Sequence, residues 1–119
     1  MTRIPPDFQT RSFAFACSIV GLYRSLEQAG TVPSYISRQL LRSGTSIGAN
    51  LEEARAAQSG RDLRSKFSIA LKEARETLFW LRLIRATCGV PGESVGSVLS
   101  ESNELVAILT ASVIRMKEG

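Results

Sequence analysis

Two long amphipathic segments joined by a tight turn constrain the fold of this 119-residue chain more than any other feature. Residues 34–57 and 60–88 each place apolar side chains three or four positions apart, which is the period of an α-helix. Between them, Ser59 is a favourable N-cap residue, and Asp62, three positions later, completes an imperfect capping box. Because the turn is short, the two helices are predicted to pack side by side in opposite directions.

Two further segments, one on either side of this pair, show the same period. Residues 7–28 begin with Asp7 as a predicted N-cap and carry an apolar stripe with a period of about 3.5, which only Ser12 interrupts. Residues 93–117 follow a turn of glycine, valine and proline at positions 89–92, which ends the preceding helix. The sequence therefore contains four predicted helices, and no strand pattern competes with them.

This arrangement predicts an all-α fold, the antiparallel up-down-up-down four-helix bundle, because connections of about three to five residues force neighbouring helices antiparallel. Residues 1–119 are expected to form this single domain, since a chain of this length suits one hydrophobic core. The side chains predicted to face that core are Phe8, Ser12, Phe15, Ile19, Leu22, Leu26, Ile36, Leu40, Gly44, Ile47, Leu51, Ala54, Leu63, Phe67, Ala70, Leu71, Ala74, Leu78, Leu81, Cys88, Val95, Leu99, Leu105, Leu109, Val113 and Met116.

Gly44 and Gly48 lie inside the second predicted helix, where each costs up to about 1 kcal/mol of helix stability relative to alanine. A break in the helix at these glycines is one interpretation. A continuous helix is favoured because the apolar register runs unchanged through both positions. The small residues at positions 44–46, 48 and 49 would then allow another helix to approach closely.

The residue types that commonly carry catalysis are scarce. Histidine, the commonest general base and metal ligand, is absent, and Cys17 and Cys88 are interpreted as small buried hydrophobic residues. Four glutamates of the central helices are predicted to face away from the core, unlike the inward carboxylates of di-iron bundles. We therefore expect no catalytic residue, metal, cofactor or small-molecule substrate.

The chain also lacks the sequence features of a membrane or secreted protein. No apolar run approaches the roughly 18–20 residues that a membrane span needs. The first residues lack the apolar region of a signal peptide. We therefore expect a cytoplasmic protein without a membrane partner.

A second stripe of the two central helices is predicted to lie away from the core. Antiparallel packing about the turn places two residues level when their numbers sum to about 119, so that Arg42 lies level with Glu76. The other predicted pairs are Ser46 with Glu73, Glu53 with Lys66, and Arg38 with Trp80.

This stripe has two interpretations. A solvated surface explains its charges, with ion pairs that each contribute about 0–1 kcal/mol. A packed surface between subunits explains its large apolar residues better, and is favoured. The residues assigned to this oligomer interface or polar network are Arg42, Ser46, Asn50, Glu53, Ile69, Glu73, Glu76, Phe79 and Trp80.

Positive charge is concentrated in the central part of the chain. The formal net charge is +4, and residues 34–91 contain ten Lys or Arg against five Asp or Glu. This excess suits a polyanionic partner, although a solvated surface explains the same charges. The candidate phosphate contacts are Arg38, Arg55, Arg61, Arg64, Lys66, Arg82 and Arg85.

The central helices also carry a recognisable sequence pattern. Residues 46–54 read SIGANLEEA, Ser59 and Asp62 follow, and residues 66–81 read KFSIALKEARETLFWL. This segment resembles the 23S rRNA intervening-sequence proteins, whose core pattern is close to SIxANxxEA…S…DF…K…IAxxEaxEtxxWL. The outer helices agree with that family only in size and apolar pattern. One departure is Leu63-Arg64, where the family often has an aromatic and then an apolar residue.

The resemblance implies a four-helix bundle encoded within, or apart from, insertions of bacterial 23S rRNA genes. The family is similar in fold to the accessory protein of diversity-generating retroelements, a basic bundle associated with RNA. Both groups form ring-shaped homopentamers, and no catalytic activity is established for the family. The resemblance therefore implies self-association into a pentamer and a role with RNA or another nucleic acid.

Taken together, these features lead us to expect a non-enzymatic homo-oligomer that binds nucleic acid through a basic surface. The alternative is a protein-interaction adaptor or scaffold that has no nucleic-acid role, and an enzyme is the third choice. No RNA-binding motif with stacking aromatic residues is present, so no sequence specificity is predicted.

Overall fold

The computed structural model describes residues 7–118, which form four α-helices and no strand. The helices are α1 (Phe8–Ala29), α2 (Ser34–Arg55), α3 (Gly60–Thr87) and α4 (Gly92–Glu118). Each boundary lies within two residues of its predicted position, and the all-α prediction is confirmed. The parts of the predictions that concern residues 1–6 and 119 lie outside the described residues.

The four helices form an up-down-up-down bundle. Each helix packs against the next one along the chain, and α4 packs back against α1. The bundle measures 45 × 21 × 20 Å. Because a 28-residue helix such as α3 is about 42 Å long, it spans almost the entire long dimension.

The helix ends show which capping predictions were correct. Ser59 caps α3 by accepting a hydrogen bond from the Asp62 backbone N–H at 3.1 Å, while the Asp62 carboxylate accepts one from the Gln58 backbone N–H. Gly30 ends α1 in the left-handed conformation that glycine adopts without strain. Asp7 occupies the N-cap position of α1, as predicted, but its side chain accepts no capping hydrogen bond.

The core consists largely of the residues that the apolar period predicted. Of that set, Ile36, Leu63, Leu71, Leu78, Cys88 and Leu99 are half-buried, and the others are buried. Val98 and several small polar residues are buried as well, although the apolar pattern did not indicate them. The interpretation of Cys17 as buried is wrong. It lies two positions from both Phe15 and Ile19, which places it on the opposite side of α1.

A close approach of α1 and α2 occurs at Gly44. A Cβ atom at this position would lie only 2.7–2.9 Å from three side-chain carbon atoms of Ile19, which is fully buried. At Gly48 the corresponding Cβ would lie 3.4 Å from the Ser12 carbonyl oxygen, close to ordinary contact. Helix α2 is continuous through both glycines, as predicted, and the small residues do permit close packing.

An ion-pair cluster joins the two outer helices, which share the least extensive contact of the four neighbouring pairs. Arg11 of α1 donates two hydrogen bonds to Glu101 of α4, at 2.6 and 2.9 Å, and a third to Glu104 at 3.2 Å. The hydrogen bonds that Arg11 donates to Glu101 are the main reason that the pKa of Arg11 lies above its ordinary value. This pair fixes the register of α4 against α1.

Helix α4 is the one helix among residues 7–118 that is long and apolar enough, by length and composition alone, to cross a membrane. A helix packed against a protein core can meet the same criterion, so a single such helix is weak support for a span. Of its most apolar stretch, 28% is buried inside the bundle. The expectation that no segment is apolar enough for a membrane span considers only unbroken apolar runs. Helix α4 reaches the required mean hydropathy although serines interrupt its apolar residues.

We predict that Gly44→Ala destabilises the bundle by about 1–2 kcal/mol, because the overpacking against Ile19 outweighs the gain in helix propensity. Urea unfolding followed by circular dichroism measures this change. Gly21→Ala is the matched control, since no atom lies within 4 Å of a Cβ there, and it should stabilise the protein by up to about 1 kcal/mol. Equal stabilisation by both substitutions would contradict the close approach.

Candidate interaction surfaces

The register of α2 against α3 is marked by a buried polar contact. The hydroxyl groups of Ser43 and Thr77 lie 2.9 Å apart, and both residues are completely buried. The Thr77 hydroxyl also lies 2.8 Å from the Glu73 carbonyl oxygen. Because a buried hydroxyl without a partner is costly, this pairing favours one register of the two helices.

One helical position away, Arg42 connects α2 to two glutamates of α3. Its guanidinium donates to Glu73 at 3.1 Å and also forms a salt bridge with Glu76. The Glu76 carboxylate accepts a further hydrogen bond from the Trp80 indole N–H at 3.1 Å. Arg42 and Glu76 thus lie level, as the antiparallel register predicted. We refer to Arg42, Glu73, Glu76 and Trp80 as the Arg42 cluster.

The other polar residues assigned to this stripe do not join the cluster. Ser46 donates to the Arg42 carbonyl oxygen and Asn50 to the Ser46 carbonyl oxygen, so both bond within α2. Such bonds are common for short polar side chains in helices. Within the described range, no salt bridge joins Glu53 to Lys66, and Glu53 is exposed. The predicted level position of Glu53 and Lys66 therefore gives no salt bridge between them.

Three aromatic rings stand beside the Arg42 cluster and are named here the aromatic knob: Tyr35, Phe79 and Trp80. The ring of Trp80 makes edge contacts with Phe79, at a centroid distance of 5.1 Å, and with Tyr35, at 6.4 Å. Trp80 is partly buried against the core, whereas Tyr35 and Phe79 are 66% and 53% exposed. Ile69, two to three turns away on α3, is also exposed.

A row of basic residues runs along the outer side of α3. Positions 61, 64, 68, 72, 75, 79 and 82 recur every three or four residues, so they share one side of the helix. The basic members of this row, named the basic stripe, are Arg61, Arg64, Lys72, Arg75 and Arg82. All five are exposed, and none forms a salt bridge with another residue of the described range. The stripe spans about 32 Å.

The stripe includes three of the seven candidate phosphate contacts, namely Arg61, Arg64 and Arg82. The candidate phosphate contacts Arg38, Arg55, Arg61, Arg64, Arg82 and Arg85 are exposed, and Lys66 is half-buried. Lys72 and Arg75 were not among the predicted contacts. The sequence could have identified them, because their helical spacing from Arg64 and Arg82 places all four residues on the same side of α3.

An apolar groove lies between α1 and α2, on the other side of α2 from the aromatic knob. It has a volume of about 260 Å³. The groove is lined by Gln9, Phe13, Ala16, Thr45, Gly48, Ala49, Leu51 and Glu52. Phe13 is 70% exposed, and Gln9 is held in place by its hydrogen bond to the Leu51 carbonyl oxygen at 2.8 Å. Sequence analysis indicated the small residues but not the groove.

The titratable residues do not converge on a metal site. In the part of the chain that the structure describes, no group of three or more Cys, Asp or Glu residues is placed to hold a metal ion. Glu73 and Glu76 are instead paired with Arg42. The arrangement is suited to binding other molecules through charge and apolar contact.

Comparisons with known proteins agree with this geometry. The sequence model of the 23S rRNA-intervening sequence protein family matches residues 7–111. The chain is similar to the crystal structure of a protein of unknown function from the S23 ribosomal protein family of Bacteroides thetaiotaomicron VPI-5482. The two are 42% identical with a TM-score of 0.82, over 88% of this chain and 96% of that one. A search of curated proteins gives no match.

We predict that Arg42→Ala lowers the free energy of unfolding by about 1 kcal/mol at low salt, and by less at high salt. It should also shift the fluorescence emission of Trp80, the single tryptophan, because Glu76 loses the cation that fixes it. Arg38→Ala is the matched control, since Arg38 is exposed on the same helix and forms no salt bridge with a residue from 7 to 118. If the two variants were equally stable at low salt and their emission spectra were identical, the cluster would have no structural role.

Proposed function

Because the chain belongs to the 23S rRNA-intervening sequence protein family, we propose that it acts by binding and not by catalysis. It assembles with copies of itself, into five subunits as the family resemblance implies, and it binds RNA through its basic surface. No cofactor, metal or small-molecule substrate is part of this proposed function.

The observation that carries this proposal is the basic stripe on α3. Its five cations have no carboxylate partner within residues 7–118, since Arg42 already occupies Glu73 and Glu76. A row of uncompensated cations about 32 Å long suits a chain of phosphates, which neutralises each cation and releases counterions. In an oligomer, the net charge of +4 on each chain is multiplied, which strengthens the attraction.

The end of the bundle at the α2–α3 turn is the preferred part of this surface. Arg55 of α2 and Arg61 and Arg64 of α3 are all exposed there. The beginning of α3 adds the positive end of a helix dipole, although Asp62 opposes it locally as a capping residue. No large apolar side chain is exposed between positions 55 and 66, so this end suits a hydrated phosphate backbone. Such contacts position RNA without reading its sequence.

We predict that the protein binds unstructured RNA with an affinity that falls steeply with salt. Arg61→Gln combined with Arg64→Gln should weaken binding similarly for all sequences, and each lost phosphate contact should lower the slope of log affinity against log salt by about 0.7. Fluorescence anisotropy with labelled RNA across a salt series measures both quantities.

The matched control removes two exposed cations at the opposite end of the bundle, through Arg24→Gln combined with Arg38→Gln. It changes the net charge equally and should weaken binding much less. Equal losses for the two double variants would indicate a general charge effect and not a surface at the turn. Absence of binding by the wild type at low salt would contradict the RNA proposal and favour an adaptor for an acidic protein.

A further inference from the structure

We propose that the α1–α2 groove receives the aromatic knob of a second copy of this chain. This inference rests on the proposed self-assembly and identifies the two surfaces that are in contact between neighbouring copies. The contact is head-to-tail, because each copy offers its knob to one neighbour and its groove to another.

The groove has the size and chemistry of a receptor for one large side chain. Ala16, Gly48 and Ala49 are small, and the exposed ring of Phe13 stands beside them. Its volume of about 260 Å³ leaves room for an aromatic side chain from a protein surface.

The knob is both exposed and held rigid. The Phe79 ring makes an edge contact with the Trp80 ring, and the Trp80 indole is held in place by the hydrogen bond that it donates to Glu76. A side chain that is already ordered loses little conformational entropy on binding. Aromatic residues of this kind are frequent anchors in protein interfaces.

Charge complementarity identifies the partner of the groove as the knob. Phe79 stands between Arg75 and Arg82, one helical turn away on either side, and both arginines are without a salt bridge among the described residues. The groove is bordered by Glu52, which is exposed and equally free of a salt bridge within that range. When the knob of one copy enters the groove of another, Arg75 and Arg82 therefore lie near Glu52, and the opposite charges attract.

The same charges disfavour a symmetric contact. If two grooves faced each other, Glu52 of one copy would lie near Glu52 of the other. If two knobs faced each other, Arg75 and Arg82 of one copy would lie near the same arginines of the other, and both arrangements are repulsive. A chain cannot insert its own knob either, because the Phe79 and Trp80 rings belong to α3, whereas the groove lies between α1 and α2. A head-to-tail contact of this kind closes into a ring when its rotation permits. Arg75 and Arg82 then face Glu52 of the neighbouring copy, and RNA contacts the end of the basic stripe at the α2–α3 turn, where Arg61 and Arg64 stay exposed.

Two complementary variants test this pairing. Phe79→Ala removes the knob and Ala49→Trp fills the groove, while Ala107→Trp on the exposed side of α4 is the control for a surface tryptophan. Sedimentation velocity should show that each of the first two weakens assembly at least about 30-fold and that the control does not. Circular dichroism should show unchanged helix content in all three, because these positions are exposed.

An equimolar mixture of the two defective variants provides the sharper result. The intact knob of Ala49→Trp should enter the intact groove of Phe79→Ala, giving a dimer that cannot grow. Wild-type-like assembly by both variants would overturn the pairing while self-assembly stood. Monomeric variants that form no dimer on mixing would overturn the head-to-tail contact. If the wild type were monomeric, the proposed self-assembly would be overturned as well. The groove would then be a binding site for a helix of another protein.

Discussion

The register between α2 and α3 is the constraint on which the rest of this molecule depends. The buried contact of Ser43 with Thr77 favours one alignment of the two helices. That alignment places Arg42 against the only two carboxylates in the middle of α3, Glu73 and Glu76. Arg42, an exposed residue of α2, thus pairs with both glutamates, and the outer arginines of α3 form no salt bridge with a residue from 7 to 118. The surface charge of the protein therefore follows from a contact in its core.

A second consequence comes from the packing of α1 on α2. Gly44 lets the Ile19 side chain reach the α2 backbone, which brings the two helices close together. One turn further along, the equally small Gly48 and Ala49 leave an apolar groove beneath Phe13. The side of α2 next to α1 thus has a concave apolar surface, whereas the side next to α3 carries projecting aromatic rings. This asymmetry is what a head-to-tail assembly requires.

The sequence was sufficient for the helices and for the level pairing of Arg42 with Glu76, because apolar period and short turns determine both. It did not predict the pair of Arg11 with Glu101, since nothing local relates the registers of the first and last helices. Ser43 was also missed because, unlike Ser12, it does not fall on the apolar stripe of its helix. The groove depends on the shape formed by two helices together, which periodicity along one chain does not describe.

The central claim is that the side of α2 and α3 that carries the aromatic knob is covered by a second copy of the chain. Trp80, the single tryptophan, reports on that side directly. The measurement is acrylamide quenching of its fluorescence at protein concentrations above and below the midpoint of assembly. The account predicts that quenching becomes markedly weaker as the protein assembles. Equal quenching of the assembled and dissociated protein would contradict it.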